Sequence, residues 1–281
     1  LTAFGAGASI SPVEAEIMEC AMDEASRNKV RVEQRGPVTI VTIDRPERRN
    51  AVDPETAGLL RAAFEAFEAD DGQSSAVLYG VGGTFCAGFD LHTVSGGELE
   101  YDPVGEGPMG PTRRLLSKPV IAAVEGHAVA GGLELALWCD MRVAAQSAVF
   151  GVFCRRWGVP LIDGGNVRLP RLIGHSRAMD MILTGRPVAA EEALSFGLAN
   201  RLVADGKALE EAIALANDLA RFPQTCLRTD RMTAYRQWGM DVGDALRLEG
   251  MEGEKPVREE ARKGASRFSS GKGRSGNFEE I

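Results

Sequence analysis

A chain of 281 residues with 44% hydrophobic content is long enough to bury a full core, as one large domain or two modest ones. Its 32 basic and 40 acidic residues leave a net charge of −8, which speaks against nucleic acid as the main partner, because polyanion binders display a basic surface. No apolar run reaches the roughly 18 to 20 residues of a membrane span, and Cys20, Cys86, Cys139, Cys154 and Cys226 form no CxxC pair, so a disulfide framework and a zinc site are both unexpected and a cytoplasmic setting is expected.

Residues 1–28 open on small residues and turn acidic through Glu14, Glu16, Glu19, Asp23 and Glu24. They lack the basic-then-apolar order of a secretory signal and read as an N-terminal extension. Val30 to Gln34 alternates, Gly36-Pro37 marks a turn, and Val38 to Ile43 is largely β-branched, which predicts two antiparallel strands. A charged loop with three arginines follows from Asp44 to Asn50. Leu59, Leu60, Ala63, Phe64 and Phe67 recur at helical spacing, and Ser75 to Val81 reads as a strand. The order then repeats: a Gly- and Pro-rich loop from Gly96 to Pro111, a strand at Val120–Val124, a tight turn from Gly126 to Gly132, an apolar helix at Leu133–Trp138 and a strand at Met141–Ala145. After Pro170 the pattern is helical, over Arg177–Leu183, Ala189–Phe196, Lys207–Arg221 and Asp241 to about Phe268, before a Gly/Ser/Lys-rich tail at 269–281 that reads as disordered.

Two segments carry strand ends through glycines directly into helix starts. One is Gly82-Gly83-Thr84-Phe85-Cys86-Ala87-Gly88-Phe89-Asp90-Leu91; the other is Gly126-His127-Ala128-Val129-Ala130-Gly131-Gly132-Leu133-Glu134. Such junctions aim unsatisfied backbone N–H groups, reinforced by the helix dipole, at one spot. Neither is a nucleotide fingerprint: Phe85 stands where the third glycine of GxGxxG belongs, and no GxxxxGK[ST] occurs.

In this order the two segments resemble the signature loops of the crotonase (enoyl-CoA hydratase/isomerase) superfamily. Arg45-Pro46 through Asn50-Ala51 is similar to its opening loop, and Phe150-Gly151, Gly164-Gly165, Arg168 to Gly174 and Thr184-Gly185-Arg186 extend the likeness over roughly residues 30 to 220. The resemblance implies an α/β fold: a crotonase-like spiral of ββα units at 29–220, then a C-terminal helical region at 221–268 that supports a homotrimer or a dimer of trimers. It also implies an acyl-CoA substrate, with coenzyme A as part of that substrate, no other cofactor and no metal. Carried over position by position, the N–H groups of Phe89 and Gly131 would stabilise a thioester enolate, where each fixed donor is worth about a hundred- to thousandfold in rate. Glu134 would handle a proton. Ala87, Asp90 and Leu91 would lie along the CoA path, with Arg48 or Arg49 near its phosphates.

One position departs from the pattern. Counted from Phe150-Gly151, the second hydratase glutamate is replaced by Cys154. Asp163, in Asp163-Gly164-Gly165, resembles the aspartate of the dihydroxynaphthoyl-CoA synthase branch and is the candidate second proton carrier; as an Asp-Gly pair it also reads as a simple turn. The expected activity is enoyl-CoA hydration. The alternatives are an isomerase or decarboxylase needing one acid-base residue, and a non-catalytic acyl-CoA-binding protein. His92, His127 and His175 lack metal-ligand spacing, Cys86 reads as a small buried residue, and the stripe Leu209, Ile213, Ala216 and Leu219 is expected to be covered by self-association.

Overall fold

The computed structural model describes residues 29–97 and 101–273. The expected extension at 1–28 and the tail residues 274–281 lie outside the described residues.

Strands β1 (Val30–Arg35) and β2 (Val38–Ile43) form the expected hairpin, with Arg35 opposite Val38. Only Val30 of β1 is buried, whereas all of β2 is, because β1 is the edge of a sheet that continues in parallel through β3 (Ser75–Gly80), β4 (Val120–Val124), β6 (Met141–Ala145) and β9 (Arg201–Val203). Side chains alternate between the two faces. Val41, Ile43, Leu78, Ala122 and Val124 enter one core, and Val38, Ile40, Val77, Ile121 and Val143 enter the other.

Helix α1 (Pro54–Ala69) crosses between β2 and β3. Asp53 caps its start by accepting from Thr56 N at 2.8 Å, and Leu60, Phe64 and Phe67 bury its inner stripe in the first core. Phe64 meets Trp138 edge-on at 4.8 Å, so Trp138 packs this core. A second, three-stranded sheet sets β7 (Val149–Gly151) between β5 (His127–Val129) and β8 (Val188–Ala189). The turn expected from Gly126 to Gly132 therefore contains a strand, and its pairing fixes the backbone that leads into α3 (Gly131–Trp138).

The remaining helices are α2 (Leu91–Ser95), α4 (Gly165–Ile173), α5 (His175–Thr184), α6 (Ala190–Ser195), α7 (Ala208–Arg221), α8 (Gln224–Arg236), α9 (Val242–Pro256) and, after a π-helical turn, α10 (Arg262–Ser269). Two of these lie where no helix was expected: α4, which contains Pro170, and α8. The expectation for α7 is corrected. Ala208, Ala212, Leu215 and Ala216 are buried, with Leu209, Ile213 and Leu219 packed beside them, all against the second face of the chain's own sheet. That stripe needs no other copy. Further on, Val242, Leu246, Met251 and Val257 are among the apolar side chains that are exposed.

Candidate active site

The opening loop is pinned beneath the first glycine segment by Asn50. Its Nδ2 donates to Val81 O and Thr84 O at 2.8 and 2.6 Å, and its Oδ1 accepts from Arg45 N at 2.9 Å. Along the segment itself, Phe85 N, Cys86 N and Ala87 N donate to Glu125 O, His127 O and Arg49 O, and Asp90 N donates to Val52 O. Phe89 N–H has no acceptor among the described residues. In the second segment Ala130 N donates to Gly151 O at 2.9 Å, and Ala130 adopts φ 54° and ψ −126°, a conformation that costs a non-glycine residue about 1 to 3 kcal/mol and marks functional turns. The turn starts α3 at Gly131, whose N–H is likewise unspent.

The two segments abut. A Cβ on Gly88 would lie 2.9 Å from Gly131 N, and one on Gly132 would overlap the Cys86 carbonyl. These approaches require glycine and bring two unpartnered N–H groups to one wall, the arrangement that stabilises an oxyanion.

Glu134 stands in the first turn of α3, 2% exposed. Its Oε1 accepts from Asp163 N at 2.9 Å and Gly165 N at 2.8 Å. Oε2 accepts no hydrogen bond among the described residues, and the side chain lines a cavity of about 110 Å³. Burial, and next the nearby Asp163 carboxylate, push Glu134 up from 4.5 to about 7; the two N–H donors and Arg168 oppose this. A carboxylate with a free oxygen and a pKa near neutrality suits general acid-base work.

The cavity wall is mainly apolar, with Leu91, Val94, Pro108, Met109, Val159 and Pro160, and Trp157, 68% exposed, borders it toward solvent. Its only charged lining residues among those described are Glu134 and Asp163. Asp163 is buried, and its Oδ1 accepts from Met109 N at 3.0 Å and from the Thr112 hydroxyl. Burial raises its pKa against these two donors and the charges of Arg113 and Arg168. Cys154 also lines the cavity; burial and then Glu134 raise its thiol above the ordinary range.

The residues singled out in the sequence divide into two groups. Ala87, Phe89, Leu91, Gly131, Glu134, Asp163 and Cys154 meet at one cavity. Arg48 is exposed on the turn Pro46–Arg48 and does not line it. Asp90 is turned inward: Oδ1 caps α2 by accepting from His92 N at 3.1 Å, and Oδ2 pairs with buried Arg45 at 3.4 Å. Both oxygens of this side chain are thus held by the chain itself. Cys86 is fully buried with its thiol pushed up to about 12 by desolvation, in keeping with a packing role. The three histidines are exposed, and among the described residues no group of three His, Cys, Asp or Glu side chains is placed to hold a metal. No helix among them is long and apolar enough to cross a membrane. Sequence reading missed Met109, Thr112 and Arg168, which surround the second carboxylate.

Paired backbone donors beside a buried carboxylate in an apolar cavity form an arrangement suited to stabilising a developing oxyanion and moving a proton next to it. Comparison with known proteins makes this more specific. The enoyl-CoA hydratase/isomerase family model matches residues 33–275, and the chain belongs to that family. The match runs past residue 220 and takes in the C-terminal helices. The chain is 40% identical to enoyl-CoA hydratase EchA19 of Mycobacterium tuberculosis over 196 residues, 67% of this chain and 73% of the relative. It is 37% identical to a carnitinyl-CoA dehydratase of Salmonella arizonae over 195 residues, 68% and 74% of the two chains. The crystal structure of enoyl-CoA hydratase EchA1 from Mycobacterium marinum matches with a TM-score of 0.81 at 36% identity, covering 86% of this chain and 96% of the other.

Proposed function

We propose that this protein adds water to a 2-enoyl-CoA. The observation that carries the reading is Glu134, with one oxygen held by two backbone donors and the other toward a cavity shared with the free N–H groups of Phe89 and Gly131. The thioester carbonyl lies between those N–H groups, which take up the negative charge of the enolate. The two carboxyls share one proton, and in the tautomer that reacts it sits on Asp163: ionised Glu134 removes a proton from water as the oxygen bonds to the β-carbon, and Asp163 delivers its own to the α-carbon. The carboxylate pair thus starts and ends with one proton. Ala87 and Leu91 border the path of the acyl-CoA, and Arg48, exposed and outside the cavity, meets the CoA phosphates.

Cys154 favours a second reading, isomerisation of a 3-enoyl-CoA by Glu134 alone, since the family's second acid is absent there. The two are separated by following crotonyl-CoA hydration, through loss of its conjugated absorbance, in wild type, Glu134→Gln and Asp163→Asn, with a 3-enoyl-CoA assayed in parallel. Hydration lost in both variants supports the first reading. Isomerisation that survives Asp163→Asn, without wild-type hydration, supports the second. We also infer self-association through α9 and the turn that follows it, supported by the exposed Val242, Leu246, Met251 and Val257; light scattering at micromolar concentration tests it, and a monomer contradicts it.

A further inference from the structure

The mechanism above leaves unused a buried hydroxyl that touches Asp163. Thr112 is fully buried in the turn Pro111–Arg113, and its hydroxyl donates to Asp163 Oδ1, the same oxygen that accepts from Met109 N. One guanidinium clamps the two residues together: Arg168 Nη1 donates to Asp163 O at 3.0 Å and Nη2 to Thr112 O at 2.6 Å. Gly107 leaves room for the contact, because a Cβ there would overlap both Thr112 Oγ1 and Asp163 Oδ1. Arg113 Nη2 ties the same turn to Ile162 O at 3.2 Å. Meanwhile Asp163 N–H holds Glu134 Oε1, so rotation of the Asp163 carboxylate is fixed from one side and its main chain from the other.

We propose that Thr112 is a positioning residue for the second proton transfer: its hydroxyl, together with Met109 N–H, occupies Oδ1 of Asp163 and leaves Oδ2 as the oxygen that faces the acyl cavity and carries the proton. This rests on the reading of Asp163 as the second proton carrier. Only Oδ1 has hydrogen-bond donors among the described residues, and Asp163 lines the cavity, so the geometry separates an anchored oxygen from a working one. The charged and titratable groups that bear on Asp163 are Glu134 from α3, Arg113 from its turn and Arg168 from α4, with the Cys154 thiol beside Glu134. A hydroxyl donating to Oδ1 favours the ionised form.

The pair works while it holds one proton. As pH falls it takes a second, Glu134 can no longer act as base, and activity is lost. Removing the Thr112 hydroxyl strengthens the hold of Asp163 on its proton, so this acid-side limb moves to higher pH whichever carboxylate dominates it. The test compares Thr112→Val, which keeps the methyl and loses the donor, with Thr112→Ser, which does the reverse. Thr112→Val should lower kcat for crotonyl-CoA hydration by about tenfold to a hundredfold through misaligned proton transfer, leave KM unchanged and move the acid-side limb upward. Thr112→Ser should restore both the rate and the limb. Thr112→Cys, a similar volume with a weak S–H donor, gives the same readout if the valine variant does not fold. A Thr112→Val enzyme with wild-type kcat and pH profile overturns the proposal, as does a serine variant impaired to the same extent. Wild-type turnover in Asp163→Asn would remove both the second-carrier reading and this inference, whereas loss in Asp163→Asn with no effect in Thr112→Val removes only the inference.

Discussion

Replacing Glu134 by glutamine should make the protein more stable at high pH while disabling it. Folding raises the carboxyl from 4.5 to about 7, a difference of about 3 kcal/mol between holding the group protonated and holding it ionised. The sign follows from the direction of the shift. The contribution is fully present below 4.5, where both states are protonated, and it is lost as pH rises toward and through 7, where the folded protein must carry a buried anion beside Asp163. Glutamine keeps an oxygen for Asp163 N–H and Gly165 N–H and carries no charge. Its amide N–H groups face a mainly apolar cavity wall, where a donor left without an acceptor costs about 1 kcal/mol or more. A net gain of about 1 to 2 kcal/mol corresponds to a melting temperature higher by about 2 to 8 °C for a chain of this size. Thermal melts of both proteins between about pH 5 and pH 8.5 should therefore diverge as pH rises, while hydration falls by about a hundred- to ten-thousandfold. A constant difference in melting temperature over that range, or a variant that loses stability as pH rises, would refute the placement of a strained carboxylate at this site.

Acyl-CoA binding to the native state alone should raise the melting point, by about 2.7 kcal/mol of stability at a hundredfold excess over Kd; no shift at millimolar ligand contradicts the cavity's assignment. Gly132→Ala pushes a methyl into the Cys86 carbonyl and should cost about 1 to 3 kcal/mol as overpacking, with hydration falling further than stability explains because Gly131 N–H moves too; unchanged turnover in urea-matched samples opposes this. Cys154→Glu puts a third carboxylate next to Glu134 and Asp163, so like-charge repulsion should raise the pair's pKa values and shift the acid-side limb of hydration upward without raising turnover. A large gain in hydration would instead mean that Asp163 is not the second proton carrier.

The glycine segments were legible because their function is a backbone function. Which N–H is left unspent depends on where a strand ends, where a helix begins and where a Cβ cannot fit, and Gly82-Gly83, Gly88 and Gly131-Gly132 record those conditions locally. The second sheet was not legible: β5 and β7 have three residues each and β8 two, too few for any periodicity to register. Helix α4 was hidden by Pro170, which reads as a start signal when it lies inside. The side-chain role of Asp90 was not legible, because its partner Arg45 comes from the opening loop, 45 residues away.

Asp163 marks the boundary of what sequence resolves at the site. Its Asp-Gly-Gly context flagged it, but equally as a turn, and the choice depends on groups remote in the chain: Met109 and Thr112, 54 and 51 residues away, hold its carboxylate, and Glu134, 29 residues away, takes its N–H. With Asp163 as the proposed second proton carrier, those contacts also account for a thiol at position 154. A reaction that adds water across a double bond needs one base and one acid that exchange roles over the cycle, and it does not require that both come from the same two loops. Burial of Glu134 and Asp163 in a cavity whose described lining holds no other charge makes simultaneous ionisation costly, so the pair retains a proton near neutrality. On the proposed reading of Asp163 as the second proton carrier, a third carboxylate at 154 would only add charge to the site, whereas a neutral thiol fills the wall and leaves the balance of the pair unchanged.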